Sequence, residues 1–176
     1  MVADSLVISV LALLFTAFSF WWMNWRKGEL IVGPPRSYAL TAPGEDDILI
    51  IQLPLVFYNN GAATQVVQNL RLRLEQDGRR SAILNFNYTV PDLISDGHLW
   101  AKQFAIEGRK AYASVFVFQK TPGKFVPLPG ICNATLECKL YEVTGWTTLL
   151  VFDLRIVNVA NLNSLLPYDN DIDQGS

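Results

Sequence analysis

The sequence predicts one N-terminal transmembrane helix followed by an all-β domain built as an antiparallel β-sandwich. Three observations lead to this fold class. The run from Ser5 to Trp25 contains no Lys, Arg, Asp or Glu. Between residues 48 and 158, about seven or eight short stretches carry the alternation of apolar and polar side chains that is typical of strands. Turn residues (Gly, Pro, Asn and Asp) separate these stretches, and we find no long amphipathic helix among them.

The apolar run is long enough to cross a bilayer, because a helix needs about 20 mainly apolar residues to do so. A cluster of aromatic and basic side chains ends the run, and it consists of Trp21, Trp22, Trp25, Arg26 and Lys27. Tryptophan prefers the headgroup zone, and basic residues prefer the water beyond it. We therefore predict that this cluster marks the membrane interface and that residues 1–27 form the anchor.

The main alternative for this segment is a cleaved secretory signal. Such a signal begins with basic residues and ends in small side chains at the cleavage site. Here no Lys or Arg precedes the run, and Phe18, Phe20 and Trp21 stand where small residues would be needed. The pattern favours a retained single-pass anchor. Because Arg26 and Lys27 follow the helix, the positive-inside bias predicts that residues 26–176 lie on the cytoplasmic side.

A stripe of small residues runs along the predicted helix at spacings of four, three, four and three, and it consists of Ser5, Ser9, Ala12, Thr16 and Ser19. Small side chains let a second helix approach closely, and hydroxyl groups can form hydrogen bonds across the contact. The stripe predicts a packing seam for a helix of another subunit or of a second copy. Alternatively, the hydroxyl groups bond back to their own helix and the spacing has no meaning.

The remainder of the chain divides into three predicted parts. Residues 28–47 are a juxtamembrane segment with an edge strand, 48–158 form the sandwich, and 159–176 form an acidic, flexible tail. The strongest strand covers 48–58, in which Pro54 indicates an edge or a bulge. Residues 66–75 and 81–90 predict a hairpin.

Two neighbouring stretches resemble known sandwich domains. Val56 to Gly61, followed by Val66-Val67 and Leu70 to Leu74, resembles a strand-turn-strand unit of immunoglobulin-like and LEA-type β-sandwich domains of membrane-anchored bacterial proteins. The resemblance covers roughly residues 48–75. It implies an immunoglobulin-like fold and no particular activity, because this architecture hosts many functions.

No arrangement of residues predicts catalysis, a cofactor or a metal ion. His98 is the single histidine, and Cys132 with Cys138 offers too few ligands for zinc. The two thiols are expected to be packed and reduced, although an extracytoplasmic domain could bridge them in a short disulfide loop. The spaced acids of the tail, Asp169 to Asp173, lack the glycine position and the glutamate of a calcium loop. A net charge of −2 gives no reason to expect nucleic acid.

Basic residues cluster on the predicted hairpin, namely Arg71, Arg73, Arg79 and Arg80. They predict contact with anionic headgroups or with an acidic partner subunit, unless they merely cover a solvated sheet face. Together these features predict a non-catalytic, accessory or structural subunit that packs its helix and docks its domain in a larger membrane complex, with the bilayer and other transmembrane subunits as partners. The alternative is a membrane-anchored module that binds or senses a ligand or lipid.

Overall fold

The computed structural model describes residues 2–41, 48–78, 80–90, 99–120, 125, 127–156 and 166–170. These residues form one helix, α1 (Val2–Asn24), and eleven strands. The strands are β1 (Leu30–Val32), β2 (Ser37–Thr41), β3 (Leu49–Asn59), β4 (Gln65–Gln76), β5 (Arg80–Val90), β6 (Leu99–Trp100), β7 (Phe104–Ile106), β8 (Ala111–Lys120), β9 (Gly130–Leu140), β10 (Thr147–Ile156) and β11 (Leu166–Asp169).

All of these strands belong to one antiparallel sheet. Its main path runs β10-β9-β4-β5-β8-β3-β2-β11, and β1, β6 and β7 pair with β3, β5 and β4. The predicted class, an antiparallel all-β domain after one apolar helix, is confirmed. One continuous ladder curled into a near-barrel replaces the two separate sheets that we expected, so the finer prediction of an immunoglobulin-like sandwich is not confirmed.

The sheet curls far enough that its two ends meet. The Tyr38 hydroxyl on β2 donates to the carbonyl of Arg155 on β10. Asn170, directly after β11, accepts at Oδ1 from the Arg155 amide at 3.1 Å and donates from Nδ2 to the Asp153 carbonyl at 2.8 Å. Its own amide donates to the Arg36 carbonyl at 2.7 Å. These contacts occupy polar backbone groups along the free edge of β10, which would otherwise face solvent.

The inward side chains form one apolar core. Aromatic rings occupy its centre: Phe116 lies 5.0 Å from Phe57, 5.7 Å from Phe86 and 5.8 Å from Phe104, between ring centroids. Such pairs add to the stability that burial itself provides. As expected, Cys132 and Cys138 are buried free thiols, and burial raises the pKa of each to about 11. Six residues apart on one strand, they are roughly 20 Å apart and cannot form a disulfide with each other.

Two bulges change which side chains face inward. The alternation of Leu70, Leu72 and Leu74 predicts that Val66 and Gln68 also face inward, but the β4–β9 register shifts between Val67 and Asn69, so Val67 is buried instead. The β5–β8 register shifts between Phe86 and Tyr88, which turns Thr89 inward. An extra residue in one strand reverses the alternation beyond it, and this corrects the simple period-two prediction for both strands.

Pro54 lies in a strand that has neighbours on both sides. β3 pairs with β8 along its length, but on its other side β2 reaches only Gln52 and β1 begins at Phe57. Pro54 falls in this gap, where no ladder bond is required. The expected edge position is therefore a local interruption within an inner strand.

The remaining predictions concern boundaries. β4 and β5 pair as the predicted hairpin, from Arg71 opposite Asn85 to Gln76 opposite Arg80. The alternation in residues 99–106 predicts one strand, but this stretch forms two short strands, β6 and β7. The predicted flexible tail contains a strand: Leu166–Asp169 pairs antiparallel with the edge of β2.

We expect Tyr38→Phe to lower the free energy of unfolding by about 1 kcal/mol, since the Arg155 carbonyl would lose a hydrogen-bond partner. Chemical denaturation of the full chain in detergent micelles measures this loss. Tyr58→Phe is the matched control, because Tyr58 is exposed on the outer face of β3. Equal losses in the two variants would contradict a special role for the Tyr38 hydroxyl in joining the ends of the sheet.

Candidate functional site at the helix–domain junction

α1 is apolar and lies outside the folded domain. The span Ala3–Asn24 comprises 22 residues, its most apolar 18-residue window has a mean hydropathy of 2.1, and none of that window is buried within the structure. By length and composition this helix can cross a membrane. Whatever covers its sides must therefore come from outside the part of the chain that the structure describes.

The C-terminal end of α1 carries a group of aromatic rings. Phe18 lies 5.9 Å from Trp21 and 6.0 Å from Trp22, and Phe20 meets Trp25 edge to face at 5.3 Å, between ring centroids. All of these rings are exposed. Aromatic belts of this kind sit at the headgroup level of a bilayer, and the position of these rings at the membrane interface stays a prediction.

Arg26 connects the helix end to the domain with both its backbone and its side chain. Its carbonyl accepts the amides of Ala62 at 2.8 Å and Ala63 at 3.3 Å. Its guanidinium donates to the Asn60 carbonyl at 2.6 Å and lies 4.5 Å from the ring centroid of Trp22. The predicted interface residue Arg26 thus joins the helix to a loop of the sheet.

Arg109 makes a second connection, from the turn between β7 and β8. Its Nη2 donates to the Trp22 carbonyl at 3.3 Å. This carbonyl belongs to the last turn of the helix, where carbonyl groups lack helical partners and a positive charge is favourable. The Arg109 backbone adopts a φ of 59°, which is uncommon for a residue other than glycine. The turn therefore holds a cation at the end of α1.

Two glycines allow the chain segments to touch. A Cβ atom on Gly28 would collide with the backbone nitrogen of Gly61, and a Cβ atom on Gly61 would collide with the backbone of Gly28. Two hydrogen bonds between the neighbouring residues Asn60 and Glu29 hold this contact. The Asn60 Oδ1 atom accepts the Glu29 amide at 2.7 Å, and the Asn60 backbone amide donates to the Glu29 carbonyl at 3.2 Å. Only glycine permits this approach at both positions.

Asn59 is fully buried beneath this contact, and every hydrogen-bonding group of its amide has a partner. Nδ2 donates to the carbonyls of Ala63 at 2.8 Å and Ile106 at 3.1 Å. Oδ1 accepts the Gly61 amide at 3.0 Å and Gln65 Nε2 at 3.3 Å. Gln65 in turn donates to the Gly28 carbonyl at 2.7 Å. A primary amide can make no more than this set.

We call this arrangement the helix–domain junction: residues 26–29, residues 59–65 and the turn 107–110. The sequence analysis predicted Arg26 and Lys27 as interface residues but did not predict Asn59, Gln65 or Arg109. The available signals were the Asn-Asn-Gly turn and the glycine after the basic pair. Neither signal shows that segments more than 30 residues apart lie in contact.

The predicted packing stripe stays on the exposed surface of α1, and its hydroxyls are partly used. Ser9 Oγ donates to the Ser5 carbonyl, and Thr16 Oγ1 donates to the Ala12 carbonyl, both at 2.8 Å. These are the back-bonds of the alternative interpretation. Ser19 lies beside a shallow depression lined by Phe15, Phe18, Trp22 and Met23. A partner helix would therefore find small side chains along the stripe, whereas the hydroxyl groups of Ser9 and Thr16 are already used within α1.

Two of the four predicted arginines lie together on the outer face of β4. Arg71 Nε and Arg73 Nη2 bind the two carboxylate oxygens of the nearly buried Glu137, at 2.5 and 2.9 Å. The guanidinium carbon of Arg71 also lies 4.2 Å from the ring centroid of Trp146. Contact of these arginines with headgroups or a partner stays a prediction. Arg79 and the side chain of Arg80 lie outside the described residues.

Other chemistry is sparse in the described part of the chain. His98, the only histidine, lies outside it. Among the described residues, no group of three or more His, Cys, Asp or Glu side chains could hold a metal ion. A groove with a volume of about 180 Å³ opens beside the helix exit, and it is lined by Lys27, Gly28, residues 63–66 and residues 140–143.

A scan against protein-family models finds no match to this chain, and neither does a search of curated proteins.

We expect Asn59→Ala to destabilise the full chain by about 3 kcal/mol, because buried carbonyl and amide groups would lose their partners. Thermal or chemical unfolding in detergent micelles measures the loss. The matched control is Asn85→Ala, which truncates an exposed asparagine on β5. The role of the amide would be contradicted if both variants unfolded at the same denaturant concentration.

Proposed function

We propose that this chain is a non-catalytic, single-pass membrane protein that acts as an accessory or structural subunit of a larger membrane complex. Its helix packs against other transmembrane helices, and its β-domain docks on the same assembly. The observation that carries the proposal is the combination of an uncovered apolar helix with a junction that holds this helix firmly against the domain.

The surface of α1 suits helix packing. Phe15, Phe18, Ser19 and Trp22 surround the depression beside Ser19 at positions i−4, i−1, i and i+3. Four residues at this spacing form the kind of hole that receives a side chain from a facing helix. The small-residue stripe lies next to this hole. A partner helix could therefore approach closely along the stripe and insert one side chain near the membrane interface.

The junction supports the docking role of the domain. Buried hydrogen bonds such as those of Asn59 hold one geometry, because an unpaired buried amide is costly. The cation of Arg109 and the stacked guanidinium of Arg26 add contacts at the helix end. Helix and domain would therefore move as one body, so a contact made in the bilayer would also position the sheet. Such coupling fits a subunit that braces a complex.

A ligand-binding module is the second candidate, and the groove beside the helix exit is its best support. Pockets for drug-sized molecules measure roughly 300–1,000 Å³, whereas this groove measures about 180 Å³. That volume suits a small headgroup fragment better than a lipid chain. The groove therefore favours the subunit over the ligand-binding module.

We expect Ala12→Leu to reduce co-migration of the protein with its complex by about tenfold, because overpacking a helix contact costs about 1.4 kcal/mol or more. Mild-detergent extraction from native membranes, followed by size separation, measures the associated fraction. Ala17→Leu makes the same change about 140° further round the helix, and it should leave association intact. Thr16→Leu should behave like Ala12→Leu. The packing seam is wrong if all three variants stay in the complex while remaining in the membrane.

We also propose that the β-domain faces the cytoplasm. Arg26 and Lys27 follow the helix, and Arg109 adds a third cation at the same membrane-facing end. Added protease should then cleave the domain in inside-out vesicles of the native membrane and leave it intact in sealed right-side-out vesicles. Detergent-opened vesicles are the control for cleavability. Cleavage in sealed right-side-out vesicles only would reverse the assignment.

A further inference from the structure

The loop between β9 and β10, residues 141–146, lies next to the point where α1 ends. Lys27, two residues after the last tryptophan of the interface cluster, forms an ion pair with Glu142 of this loop. The Tyr141 amide donates to the Val66 carbonyl at 3.0 Å. The loop thus borders the groove beside the helix exit and shares the membrane-facing end of the domain with the junction.

Contacts at both ends hold this loop in place. The Lys27–Glu142 pair lies at its beginning, and Trp146 at its end stacks under the guanidinium of Arg71, which Glu137 orients. The Val143 amide also donates to the Leu140 carbonyl at 3.4 Å. The loop is therefore held by the backbone amides of Tyr141 and Val143 and by the side chains of Glu142 and Trp146.

Despite this anchoring, the loop presents apolar side chains to its surroundings. Tyr141 is 70% exposed and Val143 is 45% exposed. The loop thus exposes an aromatic and a branched aliphatic side chain two positions apart, and the contact of this apolar surface with water is unfavourable. Tyrosine is also one of the two residues that are enriched at the membrane–water interface.

We infer that the 141–146 loop is a second membrane contact, in which Tyr141 and Val143 enter the headgroup region of the bilayer that α1 spans. The inference rests on the proposed membrane anchoring of α1. The bilayer is the expected occupant because the loop is joined to the helix where the helix leaves the membrane. Lys27, which follows the interface tryptophans on the water side, pairs with Glu142 of the loop, and the headgroup layer beside it is roughly 5–8 Å thick. Two contacts would fix the tilt of the domain above the membrane.

The test uses full-length variants in liposomes, each with one added cysteine that is labelled with the environment-sensitive dye NBD. Val143→Cys reports on the loop, and Leu13→Cys reports on the middle of α1. Ile131→Cys is the matched control, because Ile131 is 59% exposed and lies nine residues before Leu140 on β9, roughly 30 Å along the strand. The native thiols are buried with raised pKa values, so they stay protonated and unreactive at neutral pH.

We expect lipids that carry a nitroxide in the headgroup to quench the Val143 dye at least about twofold more than the Ile131 dye, as for a side chain at the interface. Equal quenching at both positions would overturn the loop contact. The dye at position 13 distinguishes a wrong loop contact from a wrong membrane anchor. If water-soluble iodide quenches this dye freely, α1 does not span the bilayer. A Val143 dye that is exposed in liposomes but shielded in native membranes would assign the loop to a protein partner and overturn the bilayer contact.

Discussion

The geometry of the molecule depends on the four hydrogen bonds of one buried side chain, Asn59. Its amide holds the loop 59–65 in the shape that receives Arg26 and Gly28, and it reaches across to the Ile106 carbonyl on β7. Such a group is costly to bury unless every donor and acceptor is paired. The loop conformation, the glycine contact and the exit direction of the helix therefore depend on each other. A change in one of them would leave the amide without a partner.

The same principle of polar satisfaction governs the other end of the domain. An open sheet of this length would leave the edge of β10 unpaired, and exposed edges invite pairing with other chains. Here Tyr38 and Asn170 bind the backbone of that edge. Among the described residues, the near-barrel is therefore completed by side chains and not by a continuous ladder. Backbone pairing is also interrupted beside Pro54, between the ends of β1 and β2 on β3. Proline has no backbone N–H group to donate, so no hydrogen bond is lost there.

A charge-free apolar run located α1, and sequence periodicity located most strands, because the apolar faces of Leu49 to Phe57 and Phe152 to Ile156 alternate without interruption. It failed at Gln68 and Asn87, since a bulge is defined by the partner strand and that partner is distant in sequence. Composition predicts Trp25 and Arg26 at the membrane interface, and this stays a prediction. The partners of Arg26 at the junction could not be predicted, because a contact between Gly28 and Gly61 leaves no spacing pattern in the chain.

The sequence separation of these contacts has a consequence for the order of folding. Arg26 and Asn60 of the junction are 34 residues apart, whereas Tyr38 and Arg155 at the closure of the sheet are 117 residues apart. Loop-closure entropy grows with the logarithm of loop length, so the longer closure costs about 1.1 kcal/mol more. The entropy difference favours growth of the domain from its membrane end, with the helix already in position when the last strand arrives.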